Sequence, residues 1–531
     1  MVLKLRDFLP EDQFPDISVA VDDQRHFRLY NFAGVWMWDP HKAIPNPLTG
    51  RALAYVPDTQ PYQFGYIVDS LSECPPYGLH NPLYKPERYV QYGAICGRAA
   101  GALADEETAD YFARLINVVM PKGYDECMGE VTVVRDFLYN LSGDGCRYLA
   151  TSFSRPGNRQ GQAASGYRWP YGPVAIISPF NFPLEIPALQ LMGALAMGNK
   201  PVLKPDQRVA VVAEAFVRLL LACGMPKDDM CLFHAGGPAT EALVTSTHEG
   251  LPLIRLVQFT GSTRVARRLL KMTEGRVRIE DSGYNWKILC PDFLPGDMKT
   301  VAAQCDRDAF NASGQKCSAQ SILFAHSEWV RAGLWEKLEA HAAVRTLGNL
   351  SIGPLLTWSD QRIRGHLKKL LVIPGARLLF GGKPEARIYR IPDAYGCWRP
   401  TAVFIPLSQI APHFSLVTQE VFGPVQIVTE WDSRNDLESI IYIANRIRHH
   451  LAGGIVGRDV ELINEIAGRT VNGTTYAGIR ARTTGAPQWH YFGRAGHPAS
   501  AGIGTPEAIQ SVWSCHREII TDWGESASMH E

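Results

Sequence analysis

The sequence has no excess of charge of either sign. Its 531 residues hold 53 Lys+Arg against 53 Asp+Glu, a formal net charge of +0. A broad polyanion-binding face is therefore not expected, which argues against a nucleic-acid partner. Its 11 cysteines form no C-x-x-C pair, so a zinc ribbon and a dense disulfide framework are both excluded. Reduced thiols in an intracellular protein, with no metal site, are the expectation. Long apolar runs are also missing. The most apolar stretch, 174–203, is broken by Asn181, Glu185, Lys200 and the prolines Pro179, Pro183 and Pro187. No membrane-spanning helix is expected from it. The first 16 residues have no apolar core and carry both charges, so neither a secretory signal nor a good transit peptide is visible. Repeats and low-complexity tracts are absent.

What is present is ordinary globular material, 46% hydrophobic and 20% charged, which excludes a disordered chain. The length predicts two to four domains. Little can be read from residues 1–150 beyond some helix around 105–119. From 174 onward the pattern sharpens. Short apolar runs at 174–178, 201–204, 231–234, 256–259 and 277–280 read as strands. Between them, 184–197, 209–220, 241–246 and 264–272 read as helices. Strands alternating with helices predict a parallel sheet covered on both faces, with ligands beyond the carboxyl ends of the strands. Those ends carry Asn181, Lys204, the Ala235-Gly236-Gly237 run, Thr260-Gly261-Ser262 and Glu280. A nucleotide site is expected there, although no complete G-x-G-x-x-G follows any strand. A second α/β segment begins near Ser282. It has a helix at 301–311, the loop SGQKC, a strand at 321–325 and helices at 329–343 and 437–447, while 473–504 reads as loop.

Several textual matches are set aside. Gly193-x4-Gly198-Asn199-Lys200 lacks the ending of a phosphate-binding loop, Ser313-x-x-Lys316 is a common tetrapeptide, and His449-His450 has no second ligand pair nearby. Three residues are candidates for chemistry. Cys317 is either one more buried thiol or a nucleophile, since it follows a flexible glycine and the charge of Lys316 beside it would favour the thiolate. Asn181 is either a helix cap or an amide that holds an oxyanion. Glu280 is either a solvated strand end or a general base.

SPFNFP (178–183), Lys204-Pro205, FTGS (259–262), Glu280 ahead of the Gly-Gln-x-Cys at Cys317, and EVFGPV (420–425) occur in this order. Together they resemble the aldehyde dehydrogenase superfamily over roughly residues 130–515. More narrowly, RWPYGP (168–173), IEDSGYNWKILCPD (279–292), SGQKCSAQS (313–321), VNGTTYAGIRARTTGAP (471–487) and GIGTPEAI (502–509) look like the plant-type delta-1-pyrroline-5-carboxylate dehydrogenases. Two departures stand out. Glu280-Asp281-Ser282-Gly283-Tyr284 replaces the usual Glu-Leu-Gly-Gly-Lys, and Asp206-Gln207 follows Lys204-Pro205 in place of Ser-Glu. The second bears on NAD against NADP, because an acidic side chain there would hold ribose hydroxyls and repel a 2′-phosphate.

The resemblance implies a Rossmann-type parallel-sheet cofactor domain, a second α/β catalytic domain and a small oligomerisation hairpin. Its boundaries would be 1–148 for the N-terminal part of the cofactor domain, 149–170 for the hairpin and 171–281 for the dinucleotide-binding sheet. The catalytic domain would span 282–472, and 473–531 would hold a substrate-anchor loop and a C-terminal oligomerisation segment. It further implies NAD-dependent oxidation of glutamate semialdehyde to glutamate in proline breakdown. Cys317 would be the nucleophile, Asn181 the oxyanion donor and Glu280 the base. Ile177, Ser178, Pro179, Phe180, Lys204, Pro205, Gly261, Ser262, Glu420 and Phe422 would hold NAD. Phe182, Ser318, Gly485 and Ala486 would contact the substrate. Phe182 could equally be core packing, and Arg480 and Arg482 read better as solvated or intersubunit charges. The matching group is mitochondrial, which points to the matrix, and a dimer or larger homo-oligomer is implied. Two other activities stay open: oxidation of another semialdehyde such as succinate semialdehyde, and a cysteine esterase or acyltransferase without hydride transfer.

Overall fold

A computed structural model describes residues 3–22, 24–485, 497 and 499–523. Two seven-stranded sheets organise the chain. In the first, the strand order is Val277–Asp281, Leu256–Gly261, Pro173–Ile177, Lys200–Lys204, Cys231–Leu232, Asn31–Ala33 and Trp36–Met37. The first five are parallel. The two N-terminal strands extend the sheet in antiparallel fashion, with Phe32 opposite Leu232 and Trp36. Pro173–Ile177 is central. The chain builds outward from it to one side and then returns to the other, so the order reverses at this strand. A crevice opens beyond the carboxyl ends at such a reversal.

The connecting helices follow from the sequence. Glu185–Ala196 is buried on every face, which explains why it shows no polar stripe. Ala210–Ala222 is closed by Gly224 at φ +89, a left-handed position suited to glycine. Thr263–Met272 alternates basic residues with the buried Ala266 and Leu269.

The second sheet runs Arg377–Phe380, Thr401–Phe404, Val425–Trp431, Gln320–His326, Asn285–Leu289, Ala452–Val456 and Thr474–Ala477. All pairs are parallel except the first. Thr474–Ala477 lies in the segment read from sequence as loop. Its residues alternate half-buried and exposed on an edge, so it lacks the apolar run that marks the other strands. The helix expected at 329–343 is instead two, Ser327–Arg331 and Leu334–Ala343, separated by Gly333 at φ +90. Phe153–Pro156, Gln162–Pro170 and Ser514–Asp522 form a third, antiparallel sheet of three strands. Among the described residues, no helix is long and apolar enough to cross a membrane.

Candidate active site

A cavity of about 740 Å³ lies between the carboxyl ends of the first sheet and loops of the second. Of the residues proposed from sequence, it gathers Ile177, Ser178, Pro179, Phe180, Asn181, Lys204, Gly261, Ser262, Glu280, Cys317, Glu420 and Phe422. Pro205, Phe182, Ser318 and Gly485 do not line it. Ala486 lies outside the described residues.

Cys317 is set by the turn before it. Ala312, Ser313 and Gly314 all have positive φ, at 51°, 56° and 70°. Two non-glycine residues in the left-handed region carry strain that the surroundings must hold. The Ala312 N–H donates to Glu126 Oε2 at 2.7 Å, and Ser313 Oγ accepts the Gly353 N–H at 2.6 Å. Downstream, the buried Asn285 amide donates to the carbonyls of Cys317 and Ala319 at 2.8 and 2.9 Å. Its oxygen accepts the N–H groups of Leu451 and Ala452. The main chain on both sides of the thiol is therefore clamped.

The electrostatics differ from the sequence expectation in one respect. Lys316 does not favour the thiolate. Its ammonium donates to the Arg307 carbonyl and to Thr484 Oγ1, both at 2.9 Å, and burial lowers it to about 8. Burial, and then the Glu280 carboxyl beside it, hold the Cys317 thiol well above the ordinary thiol range. Glu280 is itself 1% exposed, and burial pushes its carboxyl up to about 7. Among the described residues neither of its oxygens has a partner in hydrogen-bond geometry, and the Cys317 thiol is its close neighbour. A carboxyl poised near neutrality is suited to proton transfer. Asn181 is buried on the loop after Pro173–Ile177, and its amide has no bonding partner among the described residues.

Toward the first sheet the cavity suits a dinucleotide. Ser262 precedes the ten-residue helix Thr263–Met272, whose first-turn N–H groups are available to an anion. Phe180 and Phe422 meet edge to face, with ring centroids 5.9 Å apart. Burial raises Glu420 to about 7, and its Oε1 accepts the Gly283 N–H at 2.7 Å. Sequence reading did not place Arg208 here. Its guanidinium lies 4.5 Å over the Phe180 ring and pairs with Asp206, which is thereby held at about 2. The Asp206 carboxylate is thus largely taken up by its own neighbour. Trp358, Arg362, Thr240 and Glu241 also line the cavity and carried no sequence signal, because they arrive from loops and helices far apart in the chain.

The other proposed contacts are placed as follows. Phe182 is half-buried, with Lys122 Nζ 4.7 Å from its ring centroid. Ser318 is buried. Gly485 abuts Tyr476, where a Cβ would meet the phenolic oxygen at 1.6 Å.

Known proteins agree with this architecture. Residues 44–506 match the model of the aldehyde dehydrogenase family. The mitochondrial delta-1-pyrroline-5-carboxylate dehydrogenase 12A1 of Arabidopsis thaliana is 49% identical over 495 residues, covering 92% of this chain and 87% of its own length. The NAD(+) benzaldehyde dehydrogenase of Pseudomonas putida is 28% identical over 446 residues, covering 80% and 84%. The crystal structure of betaine aldehyde dehydrogenase from Staphylococcus aureus, in complex with NAD+, superposes with a TM-score of 0.80 at 18% identity, covering 97% of this chain and 99% of that one. With a family match across most of its length and the same two-sheet fold, the chain belongs to the aldehyde dehydrogenase family.

Proposed function

We propose that this chain oxidises L-glutamate γ-semialdehyde, the open form of pyrroline-5-carboxylate, to L-glutamate with NAD, in the mitochondrial matrix. The observation that carries the chemistry is that Cys317, its neighbour Glu280 and Asn181 all line one cavity. The 49% identity to the Arabidopsis enzyme supports the substrate and the compartment.

The residues account for each step. The thiol is protonated at rest, so attack needs a base. Glu280 is the adjacent carboxylate, and burial poises it near neutrality, where its ionised form can accept that proton. The thiolate then adds to the aldehyde carbon. The oxyanion is held by the Asn181 amide and the Cys317 N–H, and one such donor contributes ~2.7–4 kcal/mol to lowering a barrier. Bound in the cavity, NAD supplies the hydride acceptor that turns the Cys317 thiohemiacetal into a thioester. Glu280, having passed the thiol proton to solvent, next takes a proton from water, the hydroxide attacks the thioester carbonyl, and the C–S bond breaks to free glutamate and the Cys317 thiolate.

For the cofactor, Ser262 and the following N–H groups suit the pyrophosphate, and Lys204 and Glu420 suit ribose hydroxyls. Phe422 packs beside the nicotinamide position. Ser318, Gly485 and Ala486 serve the substrate carboxylate, and Phe182 walls the approach. The three-stranded sheet, with Phe153, Ile520 and Trp523 exposed, suits association of copies into a homo-oligomer.

The test is incubation with equilibrated pyrroline-5-carboxylate and NAD. Formation of NADH in step with glutamate is the expected result. Equal or better turnover of aldehydes without the α-amino acid group, in a panel that includes succinate semialdehyde, would defeat the substrate assignment.

A further inference from the structure

Four residues beyond Asn181, the chain places a carboxyl that the reaction above does not use. Glu185 opens the helix Glu185–Ala196 and is 7% exposed. Its main chain is firmly held: Glu130 Oε1 accepts the N–H groups of Leu184 and Glu185 at 2.8 and 2.9 Å. Its side chain is not. The Glu185 carboxyl makes no hydrogen bond or ion pair among the described residues. The cation that could have served it, Lys122, is committed to Glu130 at 2.7 Å.

A buried carboxyl without a partner is costly, and its site deserves a ligand that completes it. The surroundings place it at the reacting end. Phe182, Cys317 and Tyr476 pack half-buried on one core cluster, of which the Glu185 helix forms part. Glu185 is near enough to Cys317 to help raise its thiol, and near enough to Tyr476 to help raise its phenol. Tyr476 in turn abuts Gly485. Glu185 thus lies within electrostatic reach of both the nucleophile and Tyr476, the residue against which Gly485 packs, although it does not itself line the cavity.

Resting on the substrate reading above, we propose that Glu185 receives the α-ammonium of the amino-acid semialdehyde and selects it over semialdehydes that lack the amine. An ammonium supplies both the charge and the hydrogen-bond donors that the carboxyl lacks within the fold. In the free enzyme, burial and then Glu130 hold Glu185 well above the usual carboxylate range, with Lys122 opposing and Glu280 reinforcing the shift. Burial in the free enzyme therefore favours its protonated form. The incoming ammonium would stabilise its ionised form, and the proton would pass to solvent.

The experiment compares kcat/KM for glutamate semialdehyde and for glutarate semialdehyde, which has the same length and terminal carboxylate but no amine. It uses the wild type and Glu185→Gln. The expected result is a wild-type preference for glutamate semialdehyde that falls at least tenfold in the variant. Loss on both substrates in equal proportion, or on neither, overturns the assignment while leaving the substrate reading intact. A wild type that shows no preference overturns both. A second measurement needs no variant. Calorimetry of L-glutamate and of glutarate binding to the wild type, in two buffers of different ionisation enthalpy at pH 7, should show proton release for glutamate alone. Equal proton release for both overturns the proposal.

Discussion

Gly283 lies so close to the main chain of Cys317 that a Cβ at position 283 would stand 1.6 Å from the Cys317 carbonyl oxygen. The same residue donates its N–H to Glu420. One glycine therefore joins the nucleophile's backbone to a carboxylate on the cofactor side of the cavity. Its φ is ordinary, so the requirement is close approach and not conformational freedom.

Gly283→Ala should displace the thiol without removing any reacting group. Misplacement on the scale of 1 Å costs ~10²-fold in rate. The expected outcome is a fall of that order in kcat, accompanied by a changed rate of Cys317 alkylation by iodoacetamide. Wild-type values for both would mean that the contact is not maintained in solution.

Glu280→Gln removes the base from both halves of catalysis. The amide can neither take the Cys317 proton nor activate water, so the first-turnover release of NADH and the steady-state turnover should both slow, and an unchanged burst would mean that another base activates the thiol. In the wild type, Glu280 is protonated below about 7 and ionised above it. Deacylation should therefore rise with pH through that value and then level off. Stability should move the other way. The carboxyl has an ordinary value of 4.5 in the unfolded chain and about 7 in the fold, so ionisation is disfavoured only in the fold. That penalty is absent below 4.5, grows between the two values and is complete above 7. Glu280→Gln should therefore be more stable than wild type at pH 8, by on the order of 1–3 kcal/mol, and lose that advantage near pH 4.5. Thermal melts at the two pH values would check the sign, and a variant less stable at pH 8 would contradict the burial described.

The site was legible in the sequence where local pattern carried it. The strands ending at Ile177, Lys204, Gly261 and Asp281 are short apolar runs, each set off by polar or glycine residues that mark the rim of a parallel sheet. Non-local placement was not legible. Lys316 adjoins Cys317 in sequence, yet its side chain turns away to Arg307 and Thr484, so adjacency gave the wrong electrostatic sign. Asn31–Ala33 and Trp36–Met37 join the first sheet from a segment without clear periodicity, because short antiparallel edge strands need few apolar residues. Thr474–Ala477, a parallel strand, was hidden because it is short and lies on an edge, with its residues alternating half-buried and exposed.

Lys122 and Glu130 illustrate how much of the site rests on such non-local contacts. The two side chains are 1% and 0% exposed, and their charged atoms are 2.7 Å apart. Glu130 spends its other oxygen on the N–H groups of Leu184 and Glu185, so the pair anchors the helix that follows Asn181. Lys122→Met keeps the bulk of the side chain but strands the Glu130 charge in a dry interior. Removing one partner of a buried pair costs ~3–5 kcal/mol, whereas removing both with apolar replacements of similar size can be nearly neutral. Chemical denaturation should therefore show a large loss for Lys122→Met and a partial recovery for Lys122→Met combined with Glu130→Leu. Recovery should stay incomplete, because the double variant leaves the Leu184 and Glu185 N–H groups without their acceptor. If the double variant lost as much as the two single variants summed, the two residues would be acting independently, and their ion pair would not be what holds Asn181 in place.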